Sequence, residues 1–141
     1  MEKINKRMQS FYFDVCRRIA KLSRAKKLKV GSLIVKNGNI IAYGWNGTPY
    51  GWSNECEILI DGELKTKPEV IHSEKNSLYK LAKSGESSDG AVIFCTHAPC
   101  LECAKAIFMS GITSFFYESE YRSNDGLEFL QKCGVEVVKR G

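Results

Sequence analysis

Residues 91–117 read AVIFCTHAPCLECAKAIFMSGITSFFY, and this stretch decides the fold. Ala91-Val92-Ile93-Phe94-Cys95 is apolar without alternation, as a strand covered on both faces should be. Leu101 to Met109 reads as a helix, stopped by Gly111, and Ile112 to Tyr117 as another strand. A strand, a helix and a strand in that order predict a parallel pair joined by a right-handed crossover. Toward the C-terminus the pattern repeats. Gly126 to Lys132 reads as a helix and Val135-Glu136-Val137-Val138 as the last strand.

Toward the N-terminus, Ser73 to Lys83 reads as a helix with Leu78, Leu81 and Ala82 apolar. Gly44 to Ile71 is loop-like, punctuated by Asn46-Gly47-Thr48-Pro49, Gly51, Asp61-Gly62 and Pro68. Before it, Ser32-Leu33-Ile34-Val35 and Ile40-Ile41-Ala42-Tyr43 flank Asn37-Gly38, a strong hairpin signal. Met8, Phe11, Tyr12, Val15, Ile19 and Leu22 form one apolar stripe on a first helix that ends before Val30-Gly31. The order is α-β-β-α-β-α-β-α-β. The expected architecture is a three-layer α/β/α sandwich, a mixed five-stranded sheet with helices on both faces.

The 141 residues suit one domain, 1–141, large enough to bury a core. With 43% hydrophobic and 26% charged residues, the chain is neither disordered, collagen-like nor a coiled coil. No apolar run reaches the roughly 18 residues of a membrane span. Met1-Glu2-Lys3-Ile4-Asn5-Lys6-Arg7 has no apolar segment behind it, so no signal peptide is expected. A cytoplasmic setting follows, with the six cysteines reduced. Charge is uneven: residues 1–30 hold ten Lys/Arg against Glu2 and Asp14, a surplus of +8, while the rest sums to −3. Such a segment can serve a nucleic acid, a small phosphate or solubility alone.

Chemistry concentrates in two short pieces, His72-Ser73-Glu74 and Pro99-Cys100-Leu101-Glu102-Cys103, each at the start of a predicted helix. Alone, each is weak, since Cys-x-x-Cys also describes a redox pair. Together they offer two thiolates three residues apart on one helical turn, plus one imidazole. Backbone N–H groups at a helix start lower thiol pKa values and favour metal binding. Three protein ligands on Zn²⁺ leave a fourth position for water, the arrangement of a catalytic zinc. Glu74 stands where it can reach that water.

The pattern H-x-E…P-C-x-x-C is the signature of zinc nucleobase deaminases. From Phe11 to Val138 the chain resembles the deoxycytidylate deaminases of the cytidine deaminase superfamily, of the small phage or bacterial type. The discriminating segments are Val30-Gly31-Ser32-Leu33-Ile34-Val35, Gly44-Trp45-Asn46-Gly47-Thr48-Pro49-Tyr50-Gly51, Tyr117 to Arg122, and Gly134-Val135. Members of the family typically show V-G-A-x-I-V, then G-Y-N-G-x-P-x-G, then H-A-E-x-N at the metal motif. Trp45 replaces the usual Tyr, and Ser73 the usual Ala.

The resemblance implies one catalytic Zn²⁺ held by His72, Cys100 and Cys103, with Glu74 as the catalytic proton shuttle. It implies a nucleotide substrate against Asn46, Thr48, Ser73, Ala98, Pro99, Tyr121, Arg122 and Lys27. Asn46 would take the 3′-hydroxyl and Arg122 the 5′-phosphate, with Arg24, Lys26, Lys27 and Lys29 as competing cations. It further implies a homo-oligomer, most often a hexamer, with dCTP and dTTP as effectors, and Mg²⁺ accompanying the triphosphate. Gly44, Trp45, Asn46 and Gly47 match the effector loop. Exposed aromatics (Tyr12, Phe13, Trp45, Tyr50 and Trp52) would supply contact surface. A second, structural zinc is not expected, because Cys16, Cys56, Cys95, Cys133 and His97 are scattered.

The activity so implied is hydrolytic deamination of dCMP to dUMP and ammonia. A deaminase of dCTP, or of adenosine in transfer RNA, is the alternative of the same chemistry. A non-enzymatic RNA-binding module stapled by zinc is the alternative of another class. It is disfavoured because aromatic and basic residues do not interleave.

Overall fold

The computed structural model describes residues 3–141; Met1 and Glu2, part of the N-terminal reading above, lie outside the described residues. Helix α1 (Lys6–Ala20) starts where Asn5 Oδ1 accepts the Met8 N–H at 2.9 Å. Strands β1 (Gly31–Lys36) and β2 (Asn39–Trp45) form the expected hairpin. Its turn residues Asn37 and Gly38 both have positive φ, as a two-residue turn of this hand requires. Then come α2 (Ser73–Ala82), β5 (Val92–His97), α3 (Leu101–Met109), β6 (Ser114–Ser119), α4 (Asp125–Lys132) and β7 (Glu136–Lys139).

The main sheet has the order β2-β1-β5-β6-β7. β1 runs antiparallel to both β2 and β5, while β5, β6 and β7 are parallel. The sheet is therefore mixed and five-stranded, as expected. Alternation along its strands divides the core in two. Leu33, Val35, Val92, Phe94 and Phe116 meet α1 on one face, through Tyr12, Phe13, Cys16 and Ile19. Ile34, Ile93, Cys95, Phe115 and Tyr117 meet α2, α3 and α4 on the other, through Leu78, Leu81, Ala104, Ile107 and Leu130.

Two readings need correction. Between β2 and α2, the stretch read as loop contains a separate hairpin, β3 (Glu57–Ile60) and β4 (Glu63–Thr66). It turns at Asp61 and Gly62, both at positive φ. The α1 stripe is also shifted. The helix stops at Ala20, leaving Phe11 and Leu22 exposed, and buries Phe13, Cys16 and Ala20. Residues 12, 13, 16, 19 and 20 form the helical face that lies on the sheet. Consequently Tyr12 and Phe13 are core residues and supply no contact surface, whereas Tyr50 and Trp52 are exposed. No helix among the described residues is long and apolar enough to cross a membrane.

Candidate active site

Helices α2 and α3 bring their N-termini together over the C-terminal ends of β5 and β6, where open α/β sheets place ligands. His72 is the N-cap residue of α2, and Cys100 that of α3, its sulfur accepting the Cys103 N–H at 3.4 Å. His72 Nδ1 lies 3.3 Å from Cys103 Sγ and 3.5 Å from Cys100 Sγ. All three donor atoms fall within 4.8 Å of one another. A nitrogen and two sulfurs converging this closely suit a borderline-soft ion such as Zn²⁺.

Electrostatics follow from the contacts. The hydrogen bond from the Cys103 thiol, helped by His72, lowers Cys100 to a pKa of about 3 against the cost of burial. The same hydrogen bond, with burial, raises Cys103. His72 is raised first by its hydrogen bond to Cys100, while burial opposes. A bound metal cation would displace the thiol protons, leaving two thiolates and a neutral imidazole as its ligands.

Glu74 lies in the first turn of α2 and is only 4% exposed. Burial pushes its carboxyl above the ordinary carboxylate range. The Ser73 hydroxyl, donating to Glu74 Oε1 at 2.9 Å, and the residue's own main-chain N–H oppose that shift. Ser73 is itself fully buried.

These groups open into a cavity of ≈ 720 Å³, whose wall includes His72, Ser73, Glu74, Cys100, Ala98 and Asn46. Lys27, Tyr121 and Arg122 also line it, the guanidinium of Arg122 standing 5.4 Å from the Tyr121 ring centroid. Asn46 lines the cavity with its amide already engaged. Its Oδ1 accepts the Val30 N–H at 2.8 Å and its Nδ2 donates to Leu28 O at 2.8 Å. It therefore pins the segment carrying Lys27, with one N–H and one lone pair left for a ligand.

Five residues expected near a ligand stand apart from this wall. Thr48 turns its hydroxyl to Ser53 O at 2.7 Å. Pro99, directly before Cys100, is wholly buried. Gly44 lets β2 approach α2, since a Cβ there would meet Ser77 N at 2.7 Å and Ser73 O at 2.8 Å. Trp45 packs beside Tyr43 under the Lys80 ammonium, 4.6 Å from the Trp45 ring centroid. Gly47 exchanges main-chain hydrogen bonds with Ile71. Conversely, the wall includes Cys56, Glu57 and Thr66, which belong to or border the unread hairpin, and His97. Glu57 Oε2 accepts the N–H groups of Lys26 and Lys27 at 2.9 and 3.1 Å, fastening the hairpin to the basic segment.

Two thiol sulfurs and an imidazole nitrogen beside a buried carboxyl are the equipment of a metal-assisted hydrolase. Comparison with known proteins narrows the class. The family described as the cytidine and deoxycytidylate deaminase zinc-binding region matches residues 6–119. A dCMP deaminase from the cyanophage S-TIM5, crystallised in complex with dCMP and dUMP, superposes with a TM-score of 0.92 at 45% identity, covering 97% of this chain and 99% of that one. ComE operon protein 2 of Bacillus subtilis is 31% identical over 97% of this chain and 72% of its own length. Deoxycytidylate deaminase of Enterobacteria phage T4 is 30% identical over 84% of this chain and 82% of its own. The chain belongs to the cytidine and deoxycytidylate deaminase family and is a hydrolytic deaminase.

Proposed function

We propose that this chain deaminates dCMP to dUMP and ammonia, supplying dUMP for thymidylate synthesis. The observation that carries the reading is the buried Glu74 carboxyl sharing one cavity with His72 and Cys100, whose donor atoms cluster with that of Cys103. The likeness to a phage enzyme crystallised with dCMP and dUMP supports the substrate. His72 Nδ1 and the two thiolates would hold Zn²⁺. Bound there, the ion supplies water acidic enough to attack near neutral pH.

The chain's own residues do the rest. Glu74 takes the proton from the attacking water and delivers it to N3 of the cytosine ring. Protonated N3 draws electron density from C4 and readies that carbon for attack. Glu74 then carries the proton of the added hydroxyl to the exocyclic nitrogen, so that the C4–N bond breaks, the C4 carbonyl forms and ammonia leaves. One carboxyl acting as base and then acid needs a pKa raised toward working pH, and burial pushes Glu74 in that direction. Arg122 and Lys27, at the cavity wall, would take the 5′-phosphate. Arg122 is favoured because its planar fork matches phosphate oxygens.

A hexameric assembly and regulation by dCTP and dTTP, with Mg²⁺ on the triphosphate, complete the reading by family resemblance. The test is ammonia release from dCMP, dCTP, deoxycytidine and adenosine-containing transfer RNA by the purified protein. Metal content is measured on the same sample, with one zinc per chain expected. Preference for dCTP or transfer RNA over dCMP refutes the proposal.

A further inference from the structure

His97 is one of only two histidines in the chain and lies outside the metal cluster. It closes β5, is half-buried, and stands on the cavity wall with Ala98, Glu74 and Arg122. Its ring orientation is set by the preceding residue. Thr96 is buried, and its Oγ1 accepts the Gly31 N–H at 3.2 Å and lies 2.8 Å from His97 Nδ1.

A hydroxyl carries one proton. Its hydrogen bond from Gly31 occupies an acceptor position, and among the described residues His97 Nδ1 is the acceptor within reach of that proton. Were Nδ1 protonated instead, the buried Thr96 proton would lack a partner, at a cost buried polar groups avoid. Nδ1 is therefore an acceptor, and the neutral ring carries its proton on Nε2. That atom lies on the ring edge opposite the buried hydroxyl. Burial also lowers the pKa of His97, against the pull of Glu118, which keeps the ring neutral.

We propose that Thr96 locks His97 as the Nε2–H tautomer and that this N–H donates to an acceptor oxygen of the bound nucleotide. The inference rests on the nucleotide deaminase reading above. It makes His97 a binding residue and Thr96 a positioning residue. A fixed donor in a partly apolar cavity selects for ligands that present an oxygen to it, because an unmatched N–H is left unpaired.

The test uses zinc-loaded protein and four variants. His97→Met removes the donor, and His97→Gln returns an N–H near the position of Nε2. Thr96→Val removes the lock, and Thr96→Ser keeps it. Nitrogen NMR of a two-histidine chain reads the tautomer directly, without turnover. Wild type and Thr96→Ser should show Nε2 protonated and Nδ1 bare, and Thr96→Val a mixture. His97→Met should raise KM about ten- to a hundredfold if the acceptor is a charged phosphoryl oxygen, less if it is neutral. Zinc content should hold and Tm should fall only as far as an unpaired Thr96 hydroxyl requires, and His97→Gln should recover most of the loss in KM.

A rise confined to dCMP assigns the bond to the phosphoryl group, and an equal rise on deoxycytidine assigns it to the sugar or base. Both support the proposal. A protonated Nδ1, an unchanged KM in His97→Met, or His97→Gln as impaired as His97→Met overturns it. If His97→Met folds poorly, the comparison moves to Thr96→Val, whose KM should rise above that of Thr96→Ser; equal values overturn the proposal. A wild type inactive on every nucleotide overturns the functional reading instead, with the tautomer still measured.

Discussion

Glu74 concentrates the proposed proton transfers in one atom group, and its surroundings suit that duty. The Ser73 hydroxyl orients the carboxyl at 2.9 Å, and burial raises its proton affinity. Glu74→Gln preserves shape and a hydrogen bond to Ser73 while abolishing proton transfer. Turnover should fall by at least the roughly 10²–10⁴-fold that general acid–base help is worth. Zinc content and Tm should be unchanged, and a variant retaining more than a tenth of wild-type kcat removes Glu74 from the role. His97 supports a separate expectation about pH. Its folded pKa lies below the ordinary 6.5 because burial disfavours the imidazolium. Its contribution to stability is whole above 6.5 and is lost as pH falls from there through the depressed folded value. The stability difference between wild type and His97→Gln should therefore be constant above pH 7 and move against wild type below 6.5. Parallel curves over that window would contradict the neutral, buried ring.

At the scale of elements, the contact between β2 and α2 decides where Ser73 and Glu74 stand. Gly44 permits it, because a methyl group there would collide with α2 main chain at 2.7–2.8 Å. Gly44→Ala should cost about 1–3 kcal/mol, the range of overpacked sites, read as a shift in the denaturation midpoint. A change below about 0.5 kcal/mol, within the range of ordinary surface substitutions, would show that the two elements can part freely. The Gly44-Trp45-Asn46-Gly47 segment was legible as a motif, but the close approach of β2 to α2 at Gly44 was not, because no local pattern displays it. The helices and main-sheet strands were legible because their apolar runs are long and bounded by glycine. The β3–β4 hairpin was not, although Asp61-Gly62 is a hairpin turn signal. Its strands are four residues each and exposed on both faces, so no alternation toward a core marks them. With it went Glu57, whose partners Lys26 and Lys27 lie about thirty residues away.

Across the whole molecule, one cation of the basic N-terminal segment, Arg17, helps close the fold. Glu118, at the end of β6, receives Arg17 of α1 at 2.6 Å and Arg140 beyond β7 at 2.9 Å. Arg140 also reaches Asp14 at 3.2 Å and stacks 5.2 Å from the Phe13 ring centroid. The first helix, a central strand and the C-terminal segment thus meet at one carboxylate. Metal ligands were legible because each sits in a compact motif; these pairs were not, because more than a hundred residues separate Arg17 from Glu118. The two arginines differ in environment, and that difference sets their worth. The Arg17 side chain is 61% exposed, whereas Arg140 is 23% and Glu118 9% exposed. Exposed pairs contribute about 0–1 kcal/mol, and truncating one partner of a buried pair costs about 3–5 kcal/mol. Arg140 and Glu118 fall between, so a double-mutant cycle with Arg140→Ala and Glu118→Ala should give a coupling of about 1–3 kcal/mol. The same cycle with Arg17→Ala should give a smaller coupling that fades in high salt, since water screens an exposed guanidinium. Equal couplings for the two arginines would mean that burial does not rank them and that the C-terminal segment is not fastened through Glu118.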